Sequence, residues 1–377
     1  MICTEKLPVP PVRGGAIQTY IDGVLPHLAR RHELTVFCRR DPDLPDEELR
    51  DGVRFLRVEP GPSAWTYGSA VADLLGEERF DLLHMFNRPL LLPLYAQAAP
   101  GSRVVLSVHN EMFSPTKLSA EAGTEVAARA DRIVTISRFI ERGIRRRFPE
   151  SAPKLRTIYS AADVDRFLPR WDPRARTEAS ALRAQLGLGA GRVVLYVGRL
   201  SPKKGAHVVI GAIERLQRRG ARVCLVIVGS KWYGGDDPDP YIDALQAQAA
   251  QLSPPAVFTG YVHYADVHRY FWLADVFVCA SQWLEPLSRT HYEAMAAGLP
   301  IVTTDRGGNA EVVRGWKNGV IPKRFDDPRS MARALRRILR RPRAASAMGR
   351  RGRHLAETRY SWGRVAAELQ QVYQSLT

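Results

Sequence analysis

Short apolar runs rich in branched residues alternate along this chain with stretches of helical periodicity, and they do so in two separate series. Residues 33–38, 53–58, 81–85, 104–108 and 132–136 read as strands, with helix-like stretches such as 16–30 and 64–77 among them. After residues 172–191, whose DPRAR and GLGAG read as an interdomain connection, the series restarts at 193–197, 222–228, 256–258, 276–279 and 301–303. Strands that alternate with helices are joined by crossovers, so each series predicts a parallel sheet covered by helices. The expectation is an α/β protein of two doubly wound domains facing a cleft, with ligands at the carboxyl ends of the strands. A chain of 377 residues exceeds one ordinary core, which agrees with two domains.

Composition narrows the class without naming a chemistry. Hydrophobic residues make up 45% and charged residues 25% of the chain, ordinary values for a globular protein. No apolar run approaches ~18 residues and no charged-then-apolar leader opens the chain, so neither a membrane span nor a secretory signal is expected. Cys3, Cys38, Cys224 and Cys279 are scattered in or beside apolar runs, as core thiols of a reducing compartment would be. The net charge of +16 invites a polyanion or an anionic membrane. Lysine, however, supplies only eight of the 55 basic residues, so an arginine bias accounts for much of the excess. With no zinc spacing and no aromatic-plus-basic signature, nucleic acid is not an expected partner.

Chemistry concentrates in SQWLEPLSRTHYEAMAAGLPIV, where Glu285 and Glu293 stand eight residues apart. Pro286 suits the first turn of a helix, and Gly298 and Pro300 stop that helix before the next apolar run. At ~1.5 Å per residue, two carboxylates so spaced on one helix are roughly 12 Å apart. That span suits a nucleotide sugar, one carboxylate on sugar hydroxyls and the other on the ribose. Free N–H groups near Leu287 and Ser288 would face its diphosphate. A bare pair of glutamates at this spacing is more often a solvated helix face, so the surrounding text decides.

That text, Glu285 and Glu293 in register with AMAAGLPIV, resembles the retaining glycosyltransferases of family GT4, which have the GT-B fold. The resemblance covers nearly the whole chain. It includes Gly14-Gly15, LSVHN ending on the His109 region, ADRIVTIS, YVGRLSPKKG, VIVGS, FTGYV and RGGNAEVV. The stretch from YVHYADVHRYF to AMAAGLP is most similar to spore-coat-associated members from Bacillus-related bacteria. The resemblance implies a GT-B architecture with an acceptor-binding domain at 1–170, a donor-binding domain at 171–358 and a C-terminal helix at 359–377 that crosses back to the first domain. It implies a hexosyltransferase using a nucleotide-diphosphate sugar, UDP-sugar before GDP-mannose, with the acceptor open among glycan, lipid and small molecule. Two alternatives stand beside it: an inactive relative serving as a coat or structural protein, and a nucleotide-sugar epimerase of the same fold. Oligomeric state is not legible.

Residue by residue, the resemblance assigns Arg199 and Lys204, at the end of one strand and the start of the next helix, to the nucleotide diphosphate and leaving group. It places His109 near the donor sugar, Glu285 on donor hydroxyls with the Leu287 and Ser288 N–H groups, and Glu293 on the ribose. Gly14 and Gly15 let backbone approach the ligand; Gly229, Val262 and Pro286 complete the donor-binding set. Where the family commonly has F-G after E-P, this chain has Leu287-Ser288, which adds a side chain beside the sugar. Glu311 either lines the site or caps a helix. No metal is required. Asp237 with Asp239, and Asp163 with Asp165, have D-x-D spacing but sit in loop text.

Three further expectations concern the ends and the surface. Only Met1-Ile2-Cys3 precede Thr4, so the first strand is short. Residues 361–376 form an amphipathic helix with Trp362, Val365, Leu369, Val372 and Leu376 on one stripe. In SRFIERGIRRRF, Ile140, Ile144 and Phe148 form a stripe surrounded by arginines. Core packing is the preferred reading of that stripe, and peripheral contact with anionic membrane is the alternative.

Overall fold

The computed structural model describes residues 1–231 and 239–376. The chain divides into two compact units, one comprising Met1–Ser160 with Trp362–Thr377 and the other Ala161–Ser361.

Unit 1 contains α1 (Ala16–Leu28), β1 (Leu34–Arg39), β2 (Glu47–Arg50), β3 (Val53–Val58), α2 (Ala64–Glu77), β4 (Leu82–Phe86), α3 (Leu92–Ala98), β5 (Arg103–Val108), α4 (Ala120–Arg129), β6 (Arg132–Thr135), α5 (Arg138–Arg147) and β7 (Leu155–Thr157). Two ladders, β1-β3-β2 and β4-β5-β6-β7, are parallel except for β2, which runs antiparallel at an edge. The short N-terminal run joins them. Ile2 bridges both Phe37 and Met85, donating to His84 O at 2.9 Å and accepting from Phe86 at 3.1 Å. Three residues thus suffice for a central strand, because each side of the backbone finds a ladder. The sheet reverses direction of growth between this strand and β4, and loops from both strand ends meet there.

Unit 2 contains α6 (Pro173–Gln185), β8 (Arg192–Val197), α7 (Ala206–Gln217), β9 (Val223–Val228), α8 (Pro240–Ala250), β10 (Val257–Phe258), α9 (Val267–Trp272), β11 (Val276–Cys279), α10 (Thr290–Ala296), β12 (Ile301–Thr303), β13 (Gly319–Val320), α11 (Pro328–Leu339) and α12 (Pro342–Arg359). Among the described residues its sheet has the order β10-β9-β8-β11-β12-β13, all parallel. Growth reverses between β8 and β11, so the loops after these two strands frame the crevice where ligands bind in such sheets. The strands are apolar on both faces: Val223–Val228 is buried throughout, as a sheet covered on both sides requires.

Two expectations need correction. Residues 172–191 are not a connection, because Pro173–Gln185 is helix α6. Asp172 accepts from Arg174 N–H as its cap, Pro173 occupies the first turn, and Ala175, Ala179 and Leu182 bury its inner face. The unit boundaries fall at 160/161 and 361/362, against 170/171 and 358/359 read from sequence. Residues 161–170 belong with unit 2 because Ala162 N–H bonds Tyr360 O, Arg170 N–H bonds Ala297 O and Trp272 Nε1–H bonds Leu168 O.

The C-terminal helix α13 (Trp362–Gln374) packs in unit 1 against α1, burying Val365, Leu369, Val372 and Tyr373. Trp362 sits edge-on to Tyr20, and a Cβ at Gly23 would lie 2.4 Å from its indole. All four cysteines are buried and free. In α5, Ile140 and Ile144, with Phe148 following, are buried in the unit 1 core. Arg147 donates to Phe113 O and Leu118 O, and Arg145 pairs with Glu141. The stripe is therefore spent inside the unit. No helix among the described residues is long and apolar enough to cross a membrane.

Candidate active site

At the carboxyl end of the unit 2 sheet, the loop after β8 and the loop after β11 are bonded to each other. Gln282 N–H donates to Lys203 O at 2.8 Å, and Tyr196, near the end of β8, sends its hydroxyl to Arg199 O at 3.2 Å. Gly205, at φ +73°, lets the Lys204 turn close on β11, since a Cβ there would lie 2.0 Å from Ala280 O. These contacts bring the Lys204 ammonium onto the Glu285 carboxylate, whose other oxygen accepts from Ser281 Oγ. Glu285 is only 5% exposed. Burial alone would raise its pKa, but the charge of Lys204 and the hydrogen bonds from Lys204 and Ser281 outweigh that and hold it below the ordinary value.

A second loop locks Glu285 from the other side. Gly307, at φ +64°, lies so close that a Cβ would be 2.0 Å from Glu285 O, and Gly308 N–H donates to that oxygen at 2.8 Å. Asn309 Oδ1 accepts from Ser288 N–H at 2.9 Å. This corrects the sequence reading in two ways. Helix α10 begins at Thr290, so Glu285, Pro286, Leu287 and Ser288 form a loop rather than a first helical turn, and the separation along a single helix does not apply. The Ser288 N–H expected to face a diphosphate is already used by Asn309. The cause is the RGGN segment, whose backbone and amide capture this loop before the helix starts.

Glu293 is on α10, 2% exposed, with Arg289 Nη2 at 2.8 Å from Oε1. That oxygen has no aligned hydrogen bond. His291, two residues before Glu293 and fully buried, bonds Ser288 O and Thr303 Oγ1, and burial lowers its pKa to about 4. Arg199 is exposed at the end of β8. Gly229 follows β9, pairs with Gly260 and lies against Gly198 O; Val262 is half-buried two residues further. Glu311 lies in a short 3-10 turn over Asn309–Val312. Tyr196, Ser281, Gly307, Asn309 and His291 were missed from sequence. RGGNAE carried the one available signal, a glycine pair before an amide.

In unit 1, Gly14 and Gly15 have φ of +82° and +105° and open α1 with no side-chain cap. His109 follows β5, its backbone N–H bonded to Asn87 Oδ1 at 2.8 Å and its ring edge-on to Tyr20 at 4.8 Å. Burial lowers its pKa to about 3, so the imidazole is neutral, and Nε2 is buried without a partner.

Asp239 and Asp163, one from each acidic pair, act as caps. Asp239 caps α8 through Tyr241 and Ile242 N–H and pairs with Lys231 at 3.0 Å, while Asp237 lies outside the described residues. Asp163 accepts from Asp165 and Arg166 N–H as a turn cap. Among the described residues no group of three metal-ligating side chains converges.

The sequence model of the family described as Glycosyl transferases group 1 matches residues 179–355, and that of Glycosyltransferase Family 4 matches residues 14–166. Spore coat protein SA of Bacillus subtilis (strain 168) is 41% identical over 99% of this chain and 98% of its own length. The chain belongs to glycosyltransferase family 4. This GT4 glycosyltransferase is also 32% identical, over 96% of its chain and 94% of the other, to a GDP-mannose-dependent alpha-(1-6)-phosphatidylinositol monomannoside mannosyltransferase of Mycolicibacterium smegmatis (strain ATCC 700084 / mc(2)155). Its fold is GT-B. The crystal structure of Anabaena Alr3699/HepE in complex with UDP-glucose superposes at a TM-score of 0.77, with 21% identity over 99% of each chain.

Proposed function

We propose that this GT4 enzyme is a retaining hexosyltransferase that takes its sugar from a nucleotide diphosphate and needs no metal. The observation that carries the reading is the Lys204–Glu285–Ser281 cluster, fixed by Gly205 and Gly307 at the point where the unit 2 sheet reverses. Lys204, already held by a carboxylate, and Arg199 beside it supply positive charge where a diphosphate leaves. Glu285 receives donor hydroxyls once Lys204 turns toward phosphate, and Glu293 the ribose. Gly229, Val262, Pro286, Leu287 and Ser288 line the donor. From unit 1 the reading takes the Gly14–Gly15 turn and the neutral imidazole of His109, whose Nε2 can accept from or donate to a sugar hydroxyl. The departing nucleotide's own face admits the acceptor, so no protein nucleophile is assigned.

UDP-sugar remains the first donor, supported by the UDP-glucose complex of the structurally similar Anabaena protein. GDP-mannose is the second, favoured by the mannosyltransferase at 32% identity. The setting of this reading is envelope or spore-coat glycan synthesis inside the cell; the similarity to spore coat protein SA supports the spore-coat association alone. Peripheral contact with anionic membrane would rest on the arginines of α5 alone.

Incubation of the pure protein with UDP-glucose, UDP-N-acetylglucosamine and GDP-mannose separately should release nucleotide from one of them. Absence of release and of binding with all three sinks the donor reading. Activity should persist in excess EDTA, because Arg199 and Lys204 take the place of a divalent ion. Loss of turnover on chelation, restored by magnesium or manganese, would transfer that task to acidic side chains. A product mass shift across glycan, lipid and small-molecule acceptors names the acceptor.

A further inference from the structure

Unit 2 carries a concavity of about 510 Å³ at the opposite end of its sheet from the donor cluster. Arg192 opens β8, Asp275 precedes β11 and Pro300 precedes β12, so this pocket lies at the amino ends of the strands. Arg170, Arg176, Arg183, Arg192 and Arg350 line it, with Asp275 as the single lining carboxylate. That carboxylate is already committed: Oδ1 pairs with Arg170 at 3.2 Å and Arg192 at 3.0 Å, and Oδ2 accepts from Val193 N–H at 2.9 Å. Arg183 binds the carbonyls of Leu273, Gly189 and Gly191. The Arg350 guanidinium rests 4.8 Å above the Trp171 ring, and Arg176 is exposed on α6.

Two features separate this from an ordinary solvated arginine face. The positive charge lines a concavity of ligand size, where field lines converge and counter-ions concentrate. Trp171 and Trp272 also line the pocket and add apolar surface to it. Trp171 packs closely on Gly298, where a Cβ would lie 2.4 Å from its ring. Planar guanidinium forks match phosphate oxygens, and tryptophan walls suit the carbon face of a sugar.

We propose that this pocket binds a small phosphate ester, with the phosphate held by Arg176 and Arg350 and the carbon skeleton against Trp171 and Trp272. The site is independent of the donor cluster and does not rest on the donor assignment. A phosphate ester could reach it as a free metabolite or as a lipid headgroup; a concavity of about 510 Å³ lined by α6, α9, α11 and α12 matches the size of the free metabolite.

Calorimetric titration of the full chain with glucose 6-phosphate decides it, with glucose as the uncharged control. Expected is saturable binding of glucose 6-phosphate alone, undiminished by saturating UDP. In the Arg176→Gln/Arg350→Gln double variant, binding should weaken at least about tenfold, as expected on losing two charge-assisted contacts. Both side chains are exposed, so the variant should keep the parent's circular dichroism; a second variant, Trp171→Phe, keeps the wall and should bind nearly as well as the parent. No saturable heat up to about 10 mM ligand overturns the proposal, as does equal binding by the double variant or displacement by UDP. Pelleting with phosphatidylglycerol vesicles that is lost in the double variant, without glucose 6-phosphate binding, assigns the pocket to lipid and overturns it too.

Discussion

Glu285 and Glu293 are both buried carboxylates with a cationic partner, yet their positions ask different things of them. Glu285 shares its oxygens between Lys204 and Ser281, at the switch of the sheet, whereas Glu293 faces Arg289 one helical turn before it. A ribose contact is made equally in ground and transition states, while sugar contacts strengthen during transfer. Glu293→Ala should therefore weaken nucleotide binding in calorimetry, and Glu285→Ala should chiefly lower kcat; unchanged donor affinity in the Glu293 variant would remove the ribose assignment. The histidines give a pH signature. His109 and His291 stay neutral in the fold down to about pH 3 and 4, whereas unfolded histidine protonates near 6.5. The unfolded chain thus binds more protons in this window, and stability falls as pH drops from 6.5 toward 4. Each such histidine contributes about 1.4 kcal/mol per pH unit. Glu285, held below its ordinary pKa, loses stabilisation in the same direction only at lower pH still. Urea melts from pH 7 to 4 should show this slope, and His109→Gln should reduce it.

Among elements, the loops that lock the site depend on two glycines whose absence of a side chain is structural. Gly307→Ala forces a Cβ to within 2.0 Å of Glu285 O, and only backbone movement relieves it. Gly220→Ala has a comparable φ of +76° but nothing within 4 Å, so it meets only backbone strain of about 1 kcal/mol. Thermal melts should rank Gly307→Ala well below Gly220→Ala, and turnover should fail only in the former. Equal melting temperatures would mean the loop is free to shift. The strands of both sheets were legible because parallel strands buried on both faces leave continuous apolar runs. Short edge strands such as β2 and β13 were not, since half-buried two- to four-residue segments have no periodicity to read. Helix α6 was hidden by its thin apolar face, three small or medium residues in thirteen. The placement of Lys204 by Glu285 could not be read from sequence because it depends on Gly205 and Gly307, residues 102 positions apart. The spacing of the two glutamates was legible; the loop between them was not, because its partners lie in RGGN.

On the scale of the whole chain, α13 belongs to unit 1 although all of unit 2 intervenes. It covers α1 with Val365, Leu369, Val372 and Trp362, the last seated in the notch left by Gly23. Trp362→Ala should destabilise unit 1 by about 3 kcal/mol, near the lower end for a buried aromatic because the indole is half-exposed. Limited proteolysis should then cut unit 1 first and leave 161–361 intact; simultaneous loss of both units would show that they melt together. During synthesis the ribosome delivers the residues of unit 2 as one uninterrupted stretch, but it releases α13 only after them. The first unit to begin is the last to be finished, and until then the α1 surface under Trp362 stays open to chaperones and to neighbouring chains.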